Sequence, residues 1–293
     1  MTIQAPKLIT FKQQVEENLQ KSIPAEVEPV LREAMLYSLA AGGKRIRPLL
    51  VAATIDALGG DLTKGLAFAS AIEMVHTYSL IHDDLPAMDD DDFRRGKPTS
   101  HRVYGEATAI LAGDALLTQA FAVLSADNAG NSAAVKLALV ELLASSAGPL
   151  GMVGGQQADI LAEKQAVKLP DLVSIHARKT GALLKASVLA GAHIGGATEE
   201  QFAGLATFAA HIGVAFQICD DILDVVGDEN KLGKKTGADL KLNKSTYPAL
   251  LTLEGAKKAL EAEYQQALEA LLDLQLQSDL LLLLAEEIIR RDN

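Results

Sequence analysis

The chain has 293 residues, 49% of them hydrophobic and 4% aromatic, with one Cys, no Trp and a formal net charge of -11. That length and apolar content allow a sizeable core, a single Cys excludes an internal disulfide framework, and the acidic balance argues against a nucleic-acid binder, which carries a basic surface. The first ten residues lack a basic stretch followed by an apolar one, and no unbroken run of about 18 apolar residues appears, so neither a secretory leader nor a membrane span is expected and the setting is expected to be cytoplasmic.

Ala and Leu dominate, which favours helices. In chain order, helical period predicts elements at 28–41, 44–58, 64–84, 107–124, 132–147, 171–189, 199–224, 257–274 and 280–291. Gly59 and Gly60 supply a C-terminal stop for the second. Ser278 or Asp279 is available to cap the last. The helices at 107–124 and 199–219 are apolar nearly all round, which places them at the centre of a bundle or at a subunit interface. No alternating strand pattern, hairpin signal or long linker interrupts the chain, so one all-α domain over 1–293 is expected.

Two acidic motifs echo each other. Asp83-Asp84 and Asp220-Asp221 each close a long apolar helix, and each pair is followed by another Asp. In the first motif six aspartates fall within ten residues, 83–92. An acidic run alone reads as a solvated loop. Here it follows an apolar helix directly, contains Leu85 and Met88, and precedes Arg94-Arg95. Pro86 breaks the helix near Leu85, so loop geometry places Asp89. Clustered carboxylates repel one another, and Mg²⁺ is the natural cation for them: it takes oxygen ligands from one or two carboxylates and from substrate phosphates. In the second motif Asp220 and Asp224 are i and i+4, with Gln217 one turn earlier on the same face.

Basic residues complement them. Gly42-Gly43-Lys44-Arg45-Ile46-Arg47-Pro48 opens a predicted helix, where backbone N–H groups and the dipole favour anions. Lys44 and Arg47, at i and i+3, are placed to grip one phosphate. His76 lies two turns before Asp83 on the same face. Lys179-Thr180-Gly181 sits within or at the end of a helix. Lys234 and Lys244 follow the second motif in a Gly- and Lys-rich connector.

With these motifs in order, the chain resembles the polyprenyl synthase (trans-prenyltransferase) family, nearest to its bacterial members that form farnesyl diphosphate. The resemblance covers almost the whole chain. It is carried by GGKRIRP at 42–48, HDDLPAMDDDDFRRG at 82–96, GGQQAD at 154–159, HARKTGALL at 176–184, FQICDDILDVVGD at 216–228 and LGKKTGADLKLNKSTYP at 232–248. It implies an antiparallel helical bundle around a central cavity, working as a homodimer. It implies catalytic roles for Asp83, Asp84, Asp89, Asp220, Asp221, Asp224, Lys179 and Thr180, with metal held by Asp83, Asp84, Asp89, Asp220 and Asp224. Gly43, Lys44, Arg47, His76 and Arg95 would take isopentenyl diphosphate. Arg94, Lys179, Thr180, Gln217, Lys234 and Lys244 would take the allylic diphosphate, with about three magnesium ions. Gln156 and Asp159 would support the site, and Arg290 and Arg291 are candidates to help close it.

The reaction so implied is head-to-tail condensation of isopentenyl diphosphate with dimethylallyl or geranyl diphosphate to give farnesyl diphosphate. Tyr78 and Ser79 lie five and four residues before Asp83, about one helical turn deeper, where a Tyr makes a bulky floor for the growing tail. A core Tyr with a satisfied hydroxyl is the bland alternative. Geranylgeranyl diphosphate is the competing product. A terpene cyclase, a non-catalytic subunit of the same fold and a metal-buffering protein are the competing classes; the second acidic motif with the second anion site of Lys44, Arg47 and Arg95 argues against the first, two intact motifs argue against the second, and calorimetry with isopentenyl diphosphate separates the third.

Overall fold

The computed structural model describes residues 5–126, 129–163, 167–226 and 245–290. Its main elements are α1 (Pro6–Lys21), α2 (Pro29–Leu39), α3 (Ile46–Ala57), α4 (Leu66–Asp83), α5 (Ser100–Tyr104), α6 (Glu106–Ser125), α7 (Ala133–Ala147), α8 (Met152–Ala162), α9 (Leu169–His176), α10 (Ala182–Gly195), α11 (Glu199–Val226), α12 (Tyr247–Leu251), α13 (Leu253–Leu272) and α14 (Asp279–Ile289). Apart from one short hairpin, the regular elements of the described residues are helices, so the expected all-α fold class holds.

The core is centred on α3, α4 and α10, whose residues are buried on nearly every face. α4 packs against α6, α3 and α1, α10 against α3 and α11, and α11 along α13. Of the two helices expected at the centre of the bundle or at a subunit interface, α11 buries Leu205, Phe208, Ile212 and Ile218, whereas α6 exposes Ile110 and Leu111. A second, smaller apolar cluster of Leu172, Ile218, Ile222, Tyr247 and Ala256 joins α9, the end of α11, α12 and α13.

α1 is an element the sequence expectations lack. Pro6 opens it at a position that needs no N–H, and Leu8, Phe11, Val15 and Leu19 bury one stripe. The helix expected at 44–58 begins only at Ile46. Arg45 takes a left-handed conformation at φ 56 as the residue before it. That turn sends its guanidinium inward, where it donates to Glu73 Oε1 and Glu16 Oε1, both at 2.7 Å, and to the Leu39 carbonyl at 2.6 Å. Lys44 therefore lies outside α3, and the expected helical i,i+3 pairing of Lys44 with Arg47 is lost.

The helix expected at 171–189 is broken. Ala177–Gly181 forms a wider turn of π type between α9 and α10, a feature that clusters at functional sites. Two glycines let neighbours close on it: a Cβ at Gly155 of α8 would meet the Lys179 Cα at 2.7 Å, and one at Gly213 of α11 would meet the Gly181 Cα at 3.0 Å.

Two-residue strands Phe93–Arg94 and Lys97–Pro98 pair antiparallel with Arg94 opposite Lys97. Arg95 and Gly96 between them both have positive φ, 53 and 74, the pattern of a tight turn that matches strand twist. This hairpin was not expected. By length and composition alone, α6 and α11 are long and apolar enough to cross a bilayer. Isolated polar residues interrupt the apolar runs but barely lower the mean hydropathy. The similarly apolar stretch Ala133–Ala162 is divided into α7 and α8 by the turn at 148–151.

Candidate active site

A cavity of about 510 Å³ gathers residues from α3, α4, α6, α8 and the π turn, with the loop after Asp83 as a further wall. Arg47 comes from α3, His76, Tyr78, Ser79 and Asp83 from α4, Gln156 from α8, and Lys179 and Thr180 from the π turn. Its remaining lining is largely apolar and includes Leu85, Met88, Ile110, Met152 and Ile160. One polar group of residues and one greasy wall suit an amphipathic substrate.

The polar group is crowded with cations. Burial pushes the Arg47 guanidinium down to about 10, opposed by Glu73 and reinforced by Arg95, while Asp220 pulls it upward. Arg47 Nε is buried without a hydrogen-bond partner. Arg95 is also lowered by burial, and its Nη1 donates to the Gly42 carbonyl. Gly43 and Lys44 belong to the same corner: Lys12 Nζ donates to the Gly43 carbonyl at 3.0 Å, and the Gly43 backbone leaves room for the Arg95 guanidinium. Burial, then the charges of Arg47, Arg95, Arg94 and Arg45, keep His76 well below its ordinary range and hence neutral. Arg47 and His76 are half-buried and Arg95 is exposed, and like charges gathered this way favour a neighbouring anion.

The acidic side is built differently. Burial lifts Asp83 to about 6, against the pull of Lys179 and with a further push from Asp89. Asp84 is 4% exposed and is raised by burial. Its Oδ1 accepts from Arg94 Nε at 2.7 Å and faces Nη2 at 2.5 Å. Arg94 also lies 3.6 Å from Asp91. Asp89 is tied to the end of α4 by its N–H, which donates to the Asp83 carbonyl at 2.9 Å.

Around the second motif, Asp220 is partly exposed while Asp221 and Asp224 are each 4% exposed. Asp224 Oδ1 is buried with no hydrogen-bond partner. Gln217 pairs with Asp221, donating from Nε2 to Oδ1 at 2.9 Å. The bond spans one full i,i+4 turn of α11. Thr180 Oγ1 donates to Gln217 Oε1 at 2.9 Å, which ties the π turn to α11. Lys179 Nζ meets Asp159 Oδ2 at 2.7 Å.

Tyr78 is 6% exposed and stacks edge-on against the His82 ring at 5.7 Å. Ser79 donates to the His76 carbonyl at 2.9 Å. Lys234, Lys244 and Arg291 lie outside the described residues, and Arg290, just past the end of α14, pairs with Glu286 at 2.8 Å. Sequence reasoning overlooked α8. Its signal was present in the helical spacing of Met152, Gln156 and Ile160, one face of which lines the cavity. Gln156 Oε1 is buried and lacks a partner.

Among the described residues, no three Asp, Glu, His or Cys side chains come close enough to hold a metal ion by themselves. A zinc-like cage is therefore not built from them. Raised Asp83 and the unpartnered Asp224 oxygen are hard-oxygen donors of the kind that hold Mg²⁺ in twos with substrate phosphates.

The polyprenyl synthetase family profile matches residues 28–277. The chain is 53% identical over 264 residues to the farnesyl diphosphate synthase of Bacillus subtilis, covering 90% of this chain and 89% of that one. Among solved structures, geranylgeranyl pyrophosphate synthetase from Pyrococcus horikoshii superposes with a TM-score of 0.89 at 32% identity, covering 97% of both chains. A geranyltransferase from Helicobacter pylori, complexed with magnesium and isoprenyl diphosphate, superposes at 0.83 with 34% identity, covering 99% of this chain and 98% of that one.

Proposed function

The chain belongs to the polyprenyl synthetase family, and from that premise we propose that it condenses isopentenyl diphosphate with dimethylallyl or geranyl diphosphate, head to tail, to give farnesyl diphosphate and diphosphate. The observation that carries this reading is the meeting of Arg47, His76, Asp83, Lys179 and Thr180 on one cavity whose other walls are apolar.

Asp83, Asp84, Asp89, Asp220 and Asp224 would hold magnesium, which would supply positive charge to the diphosphate leaving group. Lys179, oriented by Asp159, adds charge on the same side, and Arg94, Gln217, Lys234 and Lys244 complete the allylic site. Asp221 holds Gln217. Thr180 presents an oxygen to the cavity, where a cation develops on the allylic carbon. Gly43, Lys44, Arg47, His76 and Arg95 hold isopentenyl diphosphate, whose double bond attacks that carbon. A proton is then lost, and the departing diphosphate is its acceptor. The apolar wall keeps water from the cation. Tyr78 and Ser79 bound the tail; an aromatic ring there supports the farnesyl product over geranylgeranyl.

The same reading carries a single functional domain over 1–293, a cytoplasmic setting and a homodimer. Exposed Leu111 on α6 and Leu137 on α7 support a subunit interface. The test is product analysis after incubating the purified protein with isopentenyl diphosphate, each allylic starter and Mg²⁺. Farnesyl diphosphate is the expected product. No prenyl product from any starter would overturn the reading.

A further inference from the structure

Both oxygens of Asp221 accept from N–H groups of the protein. Oδ1 accepts from Gln217 Nε2 at 2.9 Å, and Oδ2 accepts from the backbone N–H of Tyr247, also at 2.9 Å. Tyr247 is 2% exposed and is locked into the smaller apolar cluster, with its ring 5.7 Å from that of His176. The donor end of this chain of bonds is therefore backbone held by packing.

Direction follows from chemistry alone. A carboxylate only accepts, so the Gln217 atom facing Asp221 must be the amide nitrogen. The amide oxygen then faces Thr180 and must receive its hydroxyl proton, at 2.9 Å. With that proton committed, Thr180 Oγ1 can offer only lone pairs to the cavity it lines. A hydroxyl turned the other way would present a proton to the place where a carbocation forms.

We propose that Asp221 is a positioning residue: through Gln217 it sets the hydrogen-bond polarity of Thr180, and it does this as a double acceptor rather than as a cation ligand. The proposal rests on the prenyl-transfer reading above. It gives distinct duties to adjacent carboxylates, with Asp220 facing cation and substrate and Asp221 facing the protein.

Reversing the relay tests it. With Asp221→Asn the side-chain oxygen still accepts from the Tyr247 N–H and the NH₂ faces position 217, so the Gln217 amide must flip and donate to Thr180, whose proton then turns toward the cavity. Turnover should fall about 10- to 100-fold, the usual cost of a lost supporting partner, with the half-saturating Mg²⁺ concentration and the melting temperature little changed. Gln217→Glu combined with Asp221→Asn restores every bond with roles exchanged. The introduced amide donates its N–H to the introduced carboxylate and accepts, through its oxygen, from the Tyr247 N–H, while Thr180 still donates to the side chain at position 217. The double variant should recover about tenfold of the lost kcat, consistent with one restored bond to a charged group. A double variant no faster than Asp221→Asn alone, or a single variant whose Mg²⁺ requirement rises in step with its lost turnover, overturns the proposal while the parent still makes product. A parent that makes no prenyl product instead overturns the reading on which it rests.

Discussion

Asp84 and Asp221 occupy matching places, each the second carboxylate of an Asp-Asp pair near the end of a long apolar helix and each 4% exposed, yet different forces hold them. Asp84 is neutralised by a cation, Arg94, delivered by a hairpin whose turn residue Arg95 sits at φ 53. Asp221 is satisfied by N–H donors from Gln217 and Tyr247, the latter seated in an apolar cluster of its own. Among the contacts of the described residues, the first acidic motif is thus fastened by charge and the second by neutral N–H donors and packing.

The largest effects should fall on the two carboxylates that lead the pairs. Asp83→Ala and Asp220→Ala should each lower kcat/KM by about 10³-fold or more, since each removes charge stabilisation at the reacting group. Circular dichroism melts should show both variants folded. Retained turnover in either would remove that motif from the chemistry.

Stability should then separate the two fastenings. Tyr247→Ala empties a buried aromatic site and should cost about 3 kcal/mol in urea unfolding. Arg94→Ala leaves Asp84 buried without its partner and should cost about 2–3 kcal/mol. Adding Asp84→Asn to Arg94→Ala should return much of that loss, because the stranded charge is gone. No such recovery is available to Tyr247→Ala; equal recovery in both regions would contradict the distinction.

A smaller effect is visible in pH. Burial holds Asp83 at about 6 in the folded chain, above the unfolded value of about 3.9. The folded state binds that proton more tightly, so this residue makes stability fall as pH rises from about 4 to about 6. His176, depressed to about 4 by burial, acts in the opposite sense: its neutral form is favoured, so it adds stability as pH rises from about 4 to about 6.5. The comparison that isolates Asp83 is therefore parent against Asp83→Asn. Without divalent cation, the variant's advantage in unfolding free energy should grow between about pH 4 and about pH 6 and then level off.

The gentlest change is at the tail. Tyr78→Ala removes the ring from the cavity wall and should shift product toward longer chains with little loss of total turnover. An unchanged product spectrum would take Tyr78 out of that role.

Much of this was legible in the sequence. The helices at 64–84 and 199–224 follow from apolar period, and the aspartate pairs at their ends follow from position. What was not legible depended on partners distant in sequence. Arg45 looks like its neighbours Lys44 and Arg47 in a basic string, and only Glu16 and Glu73 turn it inward. The π turn at Ala177–Gly181 has no local signature, since Gly155 and Gly213 admit it from other helices. The bond of Gln217 to Asp221 is set by tertiary contacts with Tyr247 and Thr180, which lie far away in sequence.

The central claim is that both acidic motifs serve one diphosphate through divalent cation. Calorimetry with an unreactive allylic thio-diphosphate analogue tests it directly, using the parent, Asp83→Asn and Asp220→Asn, with and without Mg²⁺. Tight binding by the parent only with Mg²⁺, weakened by at least about tenfold in both variants, is the expected result. Parent-like, Mg²⁺-dependent binding in either variant would contradict it.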